Sequence, residues 1–287
     1  MSNFADLYPG FAESRIDTSA GEIFARIGGK GPPLLLLHGY TQTHVMWHRV
    51  APVLGERFSL VIPDLPGYGW SAAPAANAAH APYDKRSMAK TMVEVMAAYG
   101  AARFRLAGHD RGGRVAYRLA LDIVPTYNMW QGMDRNLAMK VWHWPFLAQP
   151  EPLPEMLIAK APVEYLEWKM ASWTKAKNLS AFDPRALDYY RAAFSDPRRI
   201  HAHCEDYRAG QAADFTNDEA DHKTGKTIQC PMLALWGSAG IPNETGGPLE
   251  IWRRWAPQAT GQPIDSGHFL TEENPSATAQ ALVEFFK

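Results

Sequence analysis

Cysteine is nearly absent from this chain. Only Cys204 and Cys230 occur, too few for a disulfide framework and badly spaced for a zinc site, so a reducing compartment is the default expectation. Charge of one sign is also missing. Lysine and arginine number 29 against 30 acidic residues, which gives no support for nucleic-acid binding or for an anionic membrane surface. Apolar runs stop well short of the ~20 residues that a membrane span needs. The first residues, Met1 to Phe11, lack a basic stretch followed by an apolar one, so no signal peptide is read there. The expectation is a cytoplasmic protein that contacts neither nucleic acid nor membrane.

What remains is chain enough for one large α/β domain with an insertion: 287 residues, 46% hydrophobic. Arg15 to Asp17 and Glu22 to Ile27 flank Ser19-Ala20-Gly21 and read as an opening hairpin. Pro33–Leu37, Ser59–Pro63, Phe104–Leu106, Met232–Trp236 and Gly261–Ile264 are short apolar runs of the kind buried in parallel sheets. Between them His44–Leu54, Lys85–Tyr99, Val115–Leu121 and Ala277–Phe286 have helical periodicity. Alternation of this kind predicts a mostly parallel sheet covered on both faces. Residues 125–225 break the pattern. They are rich in Trp, Tyr, His and Pro and lack strand runs, which predicts a helical cap inserted between core segments 1–124 and 226–287.

The most informative stretch is Ala107-Gly108-His109-Asp110-Arg111-Gly112-Gly113-Arg114. It reads as strand, sharp turn, helix, with small residues that permit a strained elbow. In the serine form of this elbow the exposed residue is a nucleophilic Ser. Here it is Asp110, whose competing role is simply to cap the following helix. A carboxylate nucleophile attacks carbon and leaves an ester on the enzyme, which water must then cleave. That chemistry suits a carbon–halogen bond or an epoxide. His268, in Ser266-Gly267-His268-Phe269 after the last short strand, is placed to be the general base. The loop His38-Gly39-Tyr40 would give one oxyanion N–H at Tyr40, and Arg111 the other. Arg111 and Arg114, three apart on a helix, share a face and make a fork for a carboxylate, unless structural acids claim them. His143, Trp144 and Tyr207 carry neutral donors that could hold a leaving halide, although aromatic residues in a cap often serve packing alone. Trp130, Trp142, Trp168 and Trp173 read as packing or tunnel lining.

Those residues resemble the fluoroacetate (haloacetate) dehalogenases of the α/β-hydrolase superfamily over nearly the whole chain. The likeness rests on Leu35-Leu36-Leu37-His38-Gly39-Tyr40, Gln42 to His48, Asp64-Leu65-Pro66-Gly67-Tyr68-Gly69, the elbow through Arg114, Pro125-Thr126-Tyr127, His143-Trp144, Asp206 to Gly210 and Ser266 to Phe269. It implies an α/β-hydrolase fold, Asp110 as nucleophile, His268 as base, Arg111 and Arg114 on a small anionic substrate, and His143, Trp144 and Tyr207 around the halogen. It also implies a homodimer with no cofactor and no metal. The implied reaction turns haloacetate and water into glycolate and halide. Epoxide hydrolases, haloalkane dehalogenases and a catalytically impaired binding protein of the same fold are the alternatives. The paired arginines count against the first two.

The chain departs from the family pattern twice. Thr41 stands where the family has Pro after the His-Gly-aromatic triplet. In addition, the family carries its triad acid on a further strand ahead of the Asp-Ile-x-Pro-Thr-Tyr segment, whereas here Leu119-Ala120-Leu121-Asp122 runs directly into Ile123-Val124-Pro125. The matching acid is Asp122. It equally matches the Asp that ends the nucleophile helix in the family, in which case the acid is lost. A continuous helix would put Asp122 ~18 Å along its axis from Asp110, out of reach of His268. Three readings follow: the sequence as it stands omits a segment, the sheet is rearranged, or the helix is shortened. Because losing a central strand exposes unpaired backbone, the first is the expectation.

Overall fold

The computed structural model describes residues 4–116, 119–240 and 247–287. An eight-stranded sheet organises them: β1 (Ala12–Thr18), β2 (Gly21–Gly29), β3 (Pro33–Leu37), β4 (Ser59–Pro63), β5 (Arg105–His109), β6 (Leu119–Leu121), β7 (Leu233–Gly237) and β8 (Thr260–Ile264), in the spatial order β1-β2-β4-β3-β5-β6-β7-β8. β1 and β2 form the antiparallel hairpin, β2 pairs antiparallel with β4, and every later pairing is parallel. The middle strands are buried on both faces, with Leu34 to Leu37 and Leu60 to Ile62 wholly inaccessible, which accounts for their unbroken apolar runs.

Helices α1 (Ala51–Gly55), α2 (Lys85–Ala98) and α3 (Arg111–Ala116) belong to the sheet domain. Eight helices then run without a strand between β6 and β7: α4 (Thr126–Gln131), α5 (Arg135–Lys140), α6 (His143–Leu147), α7 (Leu153–Ile158), α8 (Pro162–Trp173), α9 (Pro184–Phe194), α10 (Pro197–Ala209) and α11 (Phe215–Lys223). A π-helical turn, Gly210–Asp214, joins the last two. The chain closes with α12 (Pro248–Trp255), α13 (Leu270–Glu273) and α14 (Pro275–Phe285). Among the described residues no helix is long and apolar enough to cross a membrane.

The structure corrects the helix expected over Val115–Leu121. α3 is described over Arg111–Ala116, and Leu119–Leu121 form β6, inserted between β5 and β7. Residues 117 and 118 lie outside the described set. The lengths match: six helical residues descend ~9 Å and three extended ones climb back ~10 Å. His109 on β5 pairs with Leu121 on β6, so Asp110 and Asp122 leave the same edge of the sheet from adjacent strands. The Asp110 N–H donates to the Leu121 carbonyl (3.0 Å), and the Asp122 N–H to the Leu235 carbonyl (2.7 Å). The central strand is therefore present in a shortened form, and the expected ~18 Å separation does not arise. The His44–Leu54 helix is also divided, into a 3-10 turn over His44–Trp47 and α1.

Candidate active site

Asp110 links β5 to α3 with φ +46°, in the left-handed region that side-chain-bearing residues enter only at a cost. Its neighbours allow this by lacking side chains. A Cβ on Gly108 would lie 2.3 Å from the Gly112 carbonyl oxygen, and one on Gly112 2.3 Å from that of His38. The turn places the Asp110 carboxylate in a buried pocket, where Oδ2 accepts from the Tyr40 N–H (3.0 Å). The loop behind Tyr40 is tied by the Gln42 N–H donating to the Gly39 carbonyl (3.0 Å), with Thr41 buried within it. Arg111 opens α3, so its N–H is among the donors that no helical carbonyl can satisfy.

His268 follows β8 and is held from three sides. Its N–H donates to the Trp173 carbonyl (3.0 Å). Its carbonyl accepts from His109 Nε2 (2.8 Å). Its Nδ1 donates to Asp122 Oδ2 (2.5 Å), while Asp122 Oδ1 accepts from the Gly237 N–H (2.8 Å). That assignment leaves His268 Nε2 as the free lone pair, buried and without a partner. Burial opposes an imidazolium here, but the hydrogen bond and charge of Asp122, with Asp110 behind, outweigh it and raise the His268 pKa. Burial, reinforced by His268, pushes His109 down to about 3, so it stays neutral and can serve as an N–H donor.

Helices from between β6 and β7 bring further aromatic side chains to Tyr40. The rings of His143 and Tyr207 lie 5.5 Å apart, those of Trp144 and Tyr207 5.8 Å, and those of Tyr40 and Tyr207 5.2 Å. The three halide candidates therefore lie in one aromatic cluster beside Tyr40. Burial, with Lys169 and Arg111 nearby, depresses the His143 pKa, so this imidazole is a neutral donor. Trp173, read from sequence as packing or tunnel lining, stands 4.7 Å from the His143 ring and 5.0 Å from that of His268.

The expected two-arginine fork takes a different shape. Arg111 and Arg114 are both fully buried. Arg114 Nε donates to the Val124 carbonyl (3.0 Å), and its guanidinium lies 4.4 Å from the Trp144 ring. Arg111 spends most of its donors on one cap residue, Asp206: Nε reaches Oδ2 (3.1 Å), and Nη2 reaches Oδ1 (2.5 Å) and the Asp206 carbonyl (2.6 Å). Only Nη1 is unpartnered. The structural acid weighed against the fork is thus real for Arg111. Asp206 was visible in the sequence only as part of a motif, because nothing local marks an acid 95 residues from its arginine. His109 stood in the elbow motif, but nothing there marked its contact with a carbonyl 159 residues away.

No group of three or more His, Cys, Asp or Glu arranged for a metal occurs among the described residues. The likeness to known proteins runs end to end. A profile of the α/β hydrolase fold matches residues 32–126. A fluoroacetate dehalogenase of Burkholderia sp is 40% identical over 97% of this chain and 95% of its own. A soluble epoxide hydrolase of Corynebacterium sp. strain C12 is 28% identical, over 90% and 91%. The crystal structure of an α/β hydrolase from Nostoc sp PCC 7120 superposes with a TM-score of 0.94 at 44% identity, covering 97% of this chain and 99% of that one. By that extent of likeness, the chain belongs to the α/β-hydrolase superfamily and, within it, to the fluoroacetate (haloacetate) dehalogenases, a family of hydrolases that act on carbon–halide bonds.

Proposed function

We propose that this enzyme hydrolyses haloacetates in two steps at Asp110. The observation that carries the reading is a buried aspartate on a strained elbow, followed in the chain by the buried cations Arg111 and Arg114 and near enough to the His268–Asp122 pair for its charge to raise the His268 pKa. In the first step an Asp110 carboxylate oxygen attacks the α-carbon, the carbon–halogen bond breaks with its electron pair, and halide leaves. Arg111 Nη1 and Arg114 hold the substrate carboxylate. His143, Trp144 and Tyr207 donate to the departing halide, which matters most for fluoride, whose charge must be stabilised as it develops. In the second step His268 Nε2 takes a proton from water, which attacks the Asp110 ester carbonyl. The Tyr40 and Arg111 N–H groups stabilise the oxyanion and Asp122 the imidazolium; as the tetrahedral intermediate collapses, the carbonyl–alkoxide bond breaks, His268 returns its proton to the departing alkoxide, and glycolate leaves with the Asp110 carboxylate regenerated.

The test is fluoride and glycolate release from fluoroacetate, with intact mass recorded on the same sample. Stoichiometric release is expected, with Asp110→Ala inactive and His268→Ala accumulating a glycolyl ester. Turnover by Asp110→Ala would overturn the assignment. An epoxide hydrolase is the second reading, favoured by the Corynebacterium relative and by the Tyr40 hydroxyl donating to that of cap residue Tyr165 (3.3 Å). Diol formation from neutral epoxides without halide release would select it. We also propose a cytoplasmic homodimer, for which light scattering should return twice the 32.0 kDa chain mass.

A further inference from the structure

Arg111 stands at the end of a buried line of alternating charge. The Asp214 Oδ2 lies 3.3 Å from Lys85 Nζ. Lys85 Nζ in turn donates to Asp206 Oδ1, and Asp206 holds Arg111 by Nε and Nη2. Tyr68 adds a hydroxyl donor to Asp206 Oδ2 (2.7 Å). Asp206 and Arg111 are wholly inaccessible, and Lys85 and Asp214 nearly so. The line crosses the molecule, since Lys85 begins α2 and Arg111 begins α3 in the sheet domain while Asp206 and Asp214 belong to the inserted helices.

Donor arithmetic gives this line a direction. A guanidinium has five N–H donors. Asp206 takes three of those on Arg111, one from Nε and both from Nη2. The Tyr207 ring, 4.2 Å away, covers one face. What remains are the two hydrogens of Nη1, buried and unpaired. Charge arithmetic adds a second point. Asp206 alone would neutralise Arg111 and leave little attraction for an incoming anion. Lys85 shares that carboxylate, and the acid that balances Lys85, Asp214, stands on the far side of it in the line; Arg111 and Lys85 together hold the Asp206 pKa well below the usual range despite burial.

We propose that Asp206 and Lys85 are positioning residues for Arg111: Asp206 aims Nη1 alone at the substrate carboxylate, and Lys85 keeps enough of the Arg111 charge available to bind an anion. The inference rests on the carboxylate-binding reading of Arg111 given above. Lys85 reaches the substrate only through Asp206 and Arg111, so its loss removes binding shared by ground state and transition state, which raises KM and spares kcat.

The test compares Lys85→Met, Lys85→Arg and Tyr68→Phe with the parent enzyme on fluoroacetate and on neutral 2-bromoacetamide. For Lys85→Met, KM for fluoroacetate should rise by about 10- to 30-fold while kcat stays within about threefold. For bromoacetamide, kcat/KM should hold within about threefold. Lys85→Arg should restore most of the affinity. Tyr68→Phe, which keeps every charge, should cost less than Lys85→Met. A fall in kcat on both substrates alike would show a merely structural role and overturn the proposal, as would an unchanged KM in a folded Lys85→Met protein. Calorimetric titration of acetate into the unreactive Asp110→Asn protein, with and without Lys85→Met, separates the two readings. If the parent proves inactive on haloacetates, weaker acetate binding in the double variant still supports the charge line, and equal binding still overturns it.

Discussion

At His268 the chemistry depends on which nitrogen keeps its proton. Asp122 accepts from Nδ1, which leaves the lone pair on Nε2 for the proton transfer proposed above, and the same contact raises the His268 pKa. A base must be unprotonated to act. Ester hydrolysis should therefore fail on the acid side, with its midpoint above the ordinary histidine value of 6.5. Asp122→Asn removes the charge that raises the pKa and disturbs the tautomer. It should slow ester hydrolysis by about 10³-fold or more, accumulate the adduct on Asp110, and move the acid limb of the residual rate to lower pH. A midpoint that stays in place would mean that Asp122 does not govern His268. His109 offers a milder probe: its Nε2 donates to the His268 carbonyl, and its ring lies 4.6 Å from that of His268, a contact that a phenyl ring keeps. His109→Phe removes that donor and should weaken the second step without affecting halide release in a single turnover.

The short α3–β6 return, not the elbow, is where sequence and fold part company. The strands flanking the site were legible because each is a compact apolar run closed by turn residues, and the elbow because its glycines stand where a side chain cannot. Gly112→Ala puts a methyl 2.3 Å from the His38 carbonyl oxygen, which is backbone and cannot swing away. It should therefore destabilise the protein by about 3 kcal/mol or more, read as a drop in the urea midpoint. A fully stable variant would require the loop at His38 to yield. β6 escaped detection because three apolar residues after a helical pattern are equally compatible with either conformation. Its identity is set by partners distant in sequence: Leu121 pairs with His109 on one side and with Leu235 on the other. The Arg111–Asp206 link was hidden for the same reason. Sequence spacing placed two arginines on one helical face, but only the folded cap shows which acid meets the first of them and which of its donors are left.

On the scale of the whole molecule, the fold encloses several charged side chains, and Lys169 has no ion-pair partner among the described residues. Lys169 of α8 is fully buried, its ammonium 4.3 Å from the Trp173 ring and 4.6 Å from that of Trp142, with no hydrogen-bond partner for Nζ. Loss of solvent pushes its pKa from 10.5 down to about 6. The unfolded chain therefore binds a proton between those two values that the folded one does not. Over that window this single group makes stability fall as pH falls, by about 1.4 kcal/mol per pH unit, and the loss levels off only below the folded pKa. Lys169→Met keeps the volume and the contact with both indoles while removing the titrating group. The variant should be more stable than its parent at pH 7 by roughly a few kcal/mol, with the difference shrinking towards pH 10. Paired urea titrations at several pH values measure this directly. If the two stability curves run parallel across the window, the Lys169 ammonium is solvated or paired in solution, and the two indoles do not enclose it as they do here.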